Sequence, residues 1–246
     1  MPISPNQGSS GGGTTVTITG VNLAGTTAVH FGTRLATIVG VTPTSVTVIA
    51  PSGNGAVSVT VTTPGGTSNP LPFYYIGAPF KQSISPTGGS TAGGETVTIN
   101  GTGLYTASSV AFGANSAVPT VVSDGQITVT APAGSTGSVS VSVTTVGGTN
   151  NGFSYTYFDA PTLTTLTPTQ GPASGGTSVT LVGTALTSTT AVTFGGVPAP
   201  FSVINGSVVS AVAPPGTAGA VDVVLTADGG SATATGGFSY VAGPGI

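Results

Sequence analysis

The sequence predicts an all-β protein made of three tandem antiparallel sandwiches. Three observations predict it. The stretch "GGTTVTITG" at residues 12–20 returns as "GGETVTING" at 93–101 and as "GGTSVTLVG" at 175–183. Apolar and polar residues alternate with period two inside every copy, the pattern of a strand with one buried face. No stretch shows the 3.6-residue period of a helix.

The repeat runs well beyond that strand. Pro5, Pro86 and Pro168 open the copies, and Gly20, Gly101 and Gly183 close the first long strand. "FG" follows at Phe31, Phe112 and Phe194, then "AP" at Ala50, Ala131 and Ala213. Double glycines stand at Gly65–Gly66, Gly147–Gly148 and Gly229–Gly230. Each copy closes on aromatics, read as "FYY" at 73–75, "FSY" at 153–155 and "FSY" at 238–240. A period this long marks one domain per repeat and not one turn of a solenoid. The boundaries fall at 1–77, 78–159 and 160–246. Length differences are confined to turn-like sequence, which a strand scaffold tolerates.

Each element has a local reason. Val16 and Ile18 oppose Thr15, Thr17 and Thr19; Val29 and Phe31 flank His30; Val46 and Val48 flank Thr47; Val57, Val59 and Val61 alternate with Ser58 and Thr60. Phe31, Phe112 and Phe194 fall in phase with the inward valines and are core anchors. Asp124–Gly125 and Asn205–Gly206 are hairpin signals. Proline at the start of a copy suits an edge strand, where a missing donor is tolerated. Spacings near ten residues give about seven strands per sandwich.

Composition excludes several functions. Ordinary soluble chains carry about a quarter charged residues. Here two basic and five acidic residues in 246 give a net charge of −3. That is no footprint for nucleic acid or anionic lipid. Val, Thr and Ile set the chain apart from disordered sequences of low charge. There is no cysteine, hence no disulfide or thiolate ligand. No apolar run approaches the length of a membrane span, and "MPISPNQGSSGGG" has neither the basic nor the apolar region of a signal peptide.

The order "ISPxxGxxxGGTxVTITGxxL", "VxFG", "APxGxxGxVxVxVTTxGGTS" and a closing aromatic strand resembles the IPT/TIG domain family. The resemblance implies an immunoglobulin-like, early-set β-sandwich. The family includes plexins, certain transcription factors and bacterial surface proteins. In the surface proteins such domains serve as stalk or adhesive modules, and beside starch- and cellulose-active catalytic domains they serve as spacers. Its DNA-contacting members use basic loops, and this chain offers only Arg34 and Lys81.

No reactive constellation emerges. His30 is the sole histidine and is replaced by Ala111 and Thr193 in the other copies. Glu95, Asp124, Asp159, Asp222 and Asp228 are scattered, with neither a glycosidase pair nor a convergent set of hard oxygen ligands. The reading is therefore no enzyme, no cofactor and no metal. Lys81 lies in the first linker. Among aromatics without a counterpart, Phe80 and Phe158 are expected to pack at the linkers, whereas Tyr105 and Phe201 are the candidate surface contacts. "SVSVSVTTV" at 138–146 has the composition of an association-prone strand. Short linkers containing Ala-Pro make stiff joints, giving a rod on the order of 100–120 Å. The expected function is a self-associating rod or fibre subunit at the cell exterior, its partner likewise this chain. The alternative is a stalk module that recognises a glycan or protein.

Overall fold

The computed structural model describes residues 1–243. Among them there is no helix, and so none that is long and apolar enough to cross a membrane. By packing, the backbone divides into two compact units. One holds Met1–Ser85, Val97–Val129 and Ser140–Phe153; the other holds Pro86–Thr96, Thr130–Val139 and the chain from Ser154 on.

The first unit contains the whole first repeat. Its strands are β1 (Ile3–Ser4), β2 (Gln7–Ser9), β3 (Thr15–Thr19), β4 (Ala28–Phe31), β5 (Arg34–Leu35), β6 (Thr37–Val41), β7 (Ser45–Ile49), β8 (Gly55–Thr63), β9 (Gly66–Thr67) and β10 (Leu71–Ile76). One sheet has the order β1-β3-β7-β6, and the other has the order β2-β10-β8-β4-β5, with β9 paired to β8. Ten segments replace the expected seven partly because the opening strand is split. β1 runs antiparallel to β3, the chain crosses at Pro5, and β2 runs parallel to β10 in the opposite sheet. The proline therefore stands at a change of sheet, where its missing N–H removes no ladder bond. Asn6 serves the crossing by accepting a bond from the Tyr74 amide, 3.0 Å.

The predicted alternation sets the core. Val16, Ile18, Val29, Val46, Val48 and Val59 are fully buried, and the intervening threonines face outward. Phe31 meets Phe73 edge-to-face at 5.0 Å, and Phe73 meets Tyr75 at 5.1 Å. Such pairs add about 0.5–1.5 kcal/mol beyond burial.

The third repeat, in the second unit, follows the same plan. Thr162–Thr167, Ser178–Thr184, Val208–Val212 and Phe201–Asn205 form one sheet in that order. Gln170–Pro172, Gly230–Val241, Gly219–Ala227, Thr189–Phe194 and Val197–Pro198 form the other. Phe194, Phe238 and Tyr240 repeat the aromatic chain at 5.2 Å spacings. The second repeat keeps both strand orders, with Phe80–Ser85 and Gly88–Ser90 as its split opening strand. The first hairpin signal holds, with Ser123 pairing Gln126 across Asp124–Gly125, whereas the second is shifted by one residue: Asn205 is still in the strand and pairs Val208 across Gly206–Ser207.

Register corrects one reading. Tyr75 pairs Gly8 and Tyr240 pairs Gly171, but in the second repeat it is Tyr157 that pairs Gly89. The closing motif there is "YTY" at 155–157, not "FSY" at 153–155. The likeness of "FSY" at 153–155 to 238–240 is coincidental, since Tyr157 lies as far beyond Gly148 as Tyr75 lies beyond Gly66.

Candidate functional site

The clearest repeated polar contact is a tyrosine latch. Tyr75, Tyr157 and Tyr240 donate their hydroxyls to the carbonyls of Pro51, Pro132 and Pro214, at 2.7, 2.7 and 2.6 Å. Burial pushes all three hydroxyls above the usual tyrosine pKa. Each ring lies on a glycine. A Cβ at Gly53, Gly134 or Gly216 would fall 2.3–2.5 Å from the ring. The "APxG" motif is thus a carbonyl acceptor followed by a flat seat. The sequence displays its residues in phase, but only folding reveals that they meet.

The second repeat varies this plan. In the first and third, Thr14 with Phe73 and Thr177 with Phe238 close over Gly8 and Gly171. In the second, Glu95 and Tyr155 take those places around Gly89. Glu95 Oε1 accepts the Ser90 amide at 2.8 Å, and its other oxygen accepts the Tyr155 hydroxyl at 3.5 Å. Burial and then the Glu95 charge hold the Tyr155 hydroxyl far above its ordinary range. Two changes that look unrelated in sequence are one exchange in space.

Lys81 is the main residue that sequence reasoning misplaced. It belongs to the strand Phe80–Ser85, is only 9% exposed, and donates to the Val141 carbonyl at 2.9 Å. Its ammonium stands 4.8 Å over the Phe153 ring, and burial lowers its pKa. The available signal was the position itself. Lys81 pairs Gly101 as Leu163 pairs Gly183, and Leu163 packs on the third core.

The remaining candidates stand apart. His30 is half-buried and follows Val29 in β4. Asp124 accepts the amides of Gly103 and Tyr105, at 3.1 and 3.3 Å. Asp222 accepts the Gly236 amide at 2.7 Å, and Asp159 accepts the Thr136 hydroxyl. Among the described residues no three His, Cys, Asp or Glu side chains gather as a metal would require. Tyr105 is 73% exposed, its backbone fixed by Asp124. Phe201 is half-buried against the third core. Phe80, expected to pack, is 61% exposed. It is the neighbour of Lys81 on a strand, so when Lys81 turns inward Phe80 turns out.

The linkers supply the other recurring geometry. In the first unit, a Cβ on Gly147 would lie 1.8 Å from the Gly77 carbonyl oxygen. Around it Ser9 Oγ donates to the Gly147 carbonyl at 2.8 Å, and Asn150 Nδ2 donates to the Pro79 carbonyl at 2.6 Å. In the second unit, a Cβ on Gly229 would lie 2.0 Å from the Asp159 carbonyl oxygen. Gly147 and Gly229 occupy the same place in the repeat, as do Gly77 and Asp159. In the second and third repeats the first glycine of the pair lets backbone lie on backbone where one repeat follows another, and the second glycine takes a positive φ in all three repeats.

The chain is similar to several solved structures. One is the full extracellular region of plexin A4, at 20% identity and a TM-score of 0.49, covering 93% of this chain and 22% of that one. Another is SGBP-B from a complex xyloglucan utilization locus in Bacteroides uniformis, at 20% identity and 0.32, covering 66% and 49%. A third is invasin, a bacterial integrin-binding protein, at 15% identity and 0.29, covering 98% and 59%. The chain spans less than two thirds of the length of each. No curated protein matches it. The IPT/TIG domain model matches residues 1–75, 79–157 and 161–240. With three matches covering nearly the whole sequence, the chain belongs to the IPT/TIG domain family.

Proposed function

We propose that this chain is a non-catalytic structural module of the cell exterior, a stalk segment whose repeats are held by stiff joints and which associates with copies of itself. The observation that carries the reading is the joint. The same glycine seats the same linker position in both units, and direct hydrogen bonds reinforce the first of these seats. A linker held by backbone contact transmits orientation, which a flexible tether does not. The near absence of charge supports self-association, because little repulsion keeps copies apart. Hydrogen exchange across residues 76–80 and 158–162 tests the joints. Slow exchange at the linker amides is expected, and exchange at the rate of an open chain would end the stalk reading.

A second reading, adhesion to a glycan or protein, is favoured by Tyr105. Its ring is exposed while its backbone is pinned by Asp124, so contact would order little that is not already ordered. Phe201 is its companion candidate in the third repeat. Arrays of glycans and surface proteins probed with the wild-type chain, Tyr105→Ala and Phe201→Ala test it. Hits lost in either variant are expected; a blank array with the wild type defeats it.

A further inference from the structure

Four asparagines stand directly before a glycine, at Asn54–Gly55, Asn100–Gly101, Asn151–Gly152 and Asn205–Gly206. Such a pair can react with itself. The Gly amide nitrogen attacks the Asn side-chain Cγ, a new C–N bond forms, and ammonia leaves with the proton that the amide gave up. Glycine favours the step because no Cβ shields its nitrogen and its backbone bends freely. Water then opens the cyclic imide at either carbonyl. One product is aspartate. The other is isoaspartate, whose main chain runs through Cβ and Cγ and is longer by a methylene. In sum, water is consumed, ammonia is released, and a neutral amide becomes a carboxylate.

The fold treats the four pairs differently. Asn100 donates to the Ser83 hydroxyl at 3.0 Å and accepts from Gln126 Nε2 at 2.9 Å. The Gly101 amide donates to the Gly125 carbonyl at 2.9 Å, so both reacting groups are tied down. Asn205 Oδ1 accepts the Ser207 amide at 2.8 Å. Asn151 lies inside the strand Gly148–Phe158, which holds its backbone extended. Asn54 is the least restrained. It is exposed, it stands outside the strands just before β8, and among the described residues its side chain has no hydrogen-bond partner. Gly55 is exposed too, and a Cβ there would meet nothing within 4 Å.

The place of Asn54 gives the reaction a consequence. Gly53, on one side, seats the Tyr75 ring, and its amide donates to the Ser10 carbonyl at 3.0 Å. Gly55, on the other, is the ladder partner of Tyr75. A methylene added at residue 54 lengthens the segment that joins the seat of this tyrosine to its strand partner. In the other repeats Thr136 and Ala218 precede the matching positive-φ glycines Gly137 and Gly219, and neither side chain can form an imide.

We propose that Asn54–Gly55 is a self-modifying site, converted by water alone to aspartate and isoaspartate, and that the isoaspartate form loosens the first tyrosine latch while the other two stay closed. Either product adds one negative charge to a chain whose net charge is −3.

Peptide mapping of the full chain, stored for weeks at mildly alkaline pH, tests the site, with fragmentation that separates isoaspartate from aspartate. Asn54 is expected to convert at least about tenfold faster than Asn100, which must first break its hydrogen bonds. Conversion should quicken as pH rises, because the attacking amide must lose its proton. Asn54→Gln, which would have to close a larger ring, should stay intact. An unconverted Asn54, or earlier conversion at Asn100, Asn151 or Asn205, would overturn the site. Hydrogen exchange reads the latch. In the fraction holding isoaspartate the Gly53 amide should exchange at least about fivefold faster than in fresh chain. The Gly134 and Gly216 amides, which make the same bond to the Thr91 and Ala173 carbonyls, should be unchanged. Freshly prepared Asn54→Asp carries the charge without the methylene and should exchange like fresh wild type. Gly53 exchange that is equal in the two wild-type samples, or equally fast in Asn54→Asp, would overturn the loosening by the longer backbone.

Discussion

At the scale of single residues, the fold depends on polar groups placed where a carbonyl waits for them. Tyr240 Oη to the Pro214 carbonyl is the clearest case. Tyr240→Phe keeps the ring on Gly216 and removes only the donor. It is expected to lower stability by about 1 kcal/mol in chemical denaturation. Lys81 presents the opposite balance, a buried ammonium with one carbonyl and one ring face for company. Lys81→Met keeps the length and removes the charge, so a gain on the order of 1 kcal/mol at pH 7 is expected. The pH dependence fixes the sign. The folded-state pKa lies below 10.5, so the unfolded chain binds the extra proton first as pH falls. Wild-type stability should therefore rise from neutral pH toward 10, and Lys81→Met should lose that rise. Above pH 10 the raised pKa values of Tyr75, Tyr155, Tyr157 and Tyr240 act in the other direction, since the unfolded chain then ionises first. Denaturant titrations at several pH values below 10 check the difference between the two chains.

At the scale of elements, the glycines of the joints and the exchanged pair of the second repeat give separable tests. Gly147→Ala drives a Cβ into fixed backbone at the Gly77 carbonyl, whereas Gly65→Ala makes only an ordinary contact with Thr63. Gly147 does not have the positive φ of its neighbour Gly148, so contact and not conformation is at issue. Limited proteolysis should cut Gly147→Ala faster within residues 76–80 and leave Gly65→Ala like the wild type; equal rates in all three would refute the seat. The pair Glu95 and Tyr155 is tested by a cycle. Glu95→Thr and Tyr155→Phe each break one partner of a contact, and together they recreate the Thr–Phe arrangement of the other repeats. The double variant should be more stable than the sum of the singles predicts, by about 0.5 kcal/mol or more.

At the scale of the whole molecule, the scarcity of ions governs behaviour in solution. Seven charged residues in 246 give salt little to screen. If copies associate as proposed, their association measured by light scattering should be nearly the same at low and high ionic strength. A steep fall with added salt would show that the few charges, and not the uncharged faces, hold the copies together.

Much of this was legible in the sequence because period-two alternation and repeated Gly, Pro and Phe positions report local backbone preference and burial. The buried valines, the core anchor Phe31 and the Asp124–Gly125 hairpin follow from those signals alone, while the Asn205–Gly206 signal marks the right hairpin one residue early. Tertiary structure alone decided what meets across the chain. The latch joins residues about a third of a repeat apart. Lys81 turns inward because a bulge in its strand resets the alternation, which no local pattern announces. The joint glycines acquire their meaning only when linker backbone, some seventy residues earlier in the chain, comes to rest on them. Periodicity encodes which face of a strand is buried, and it carries no record of which distant carbonyl lies against that face.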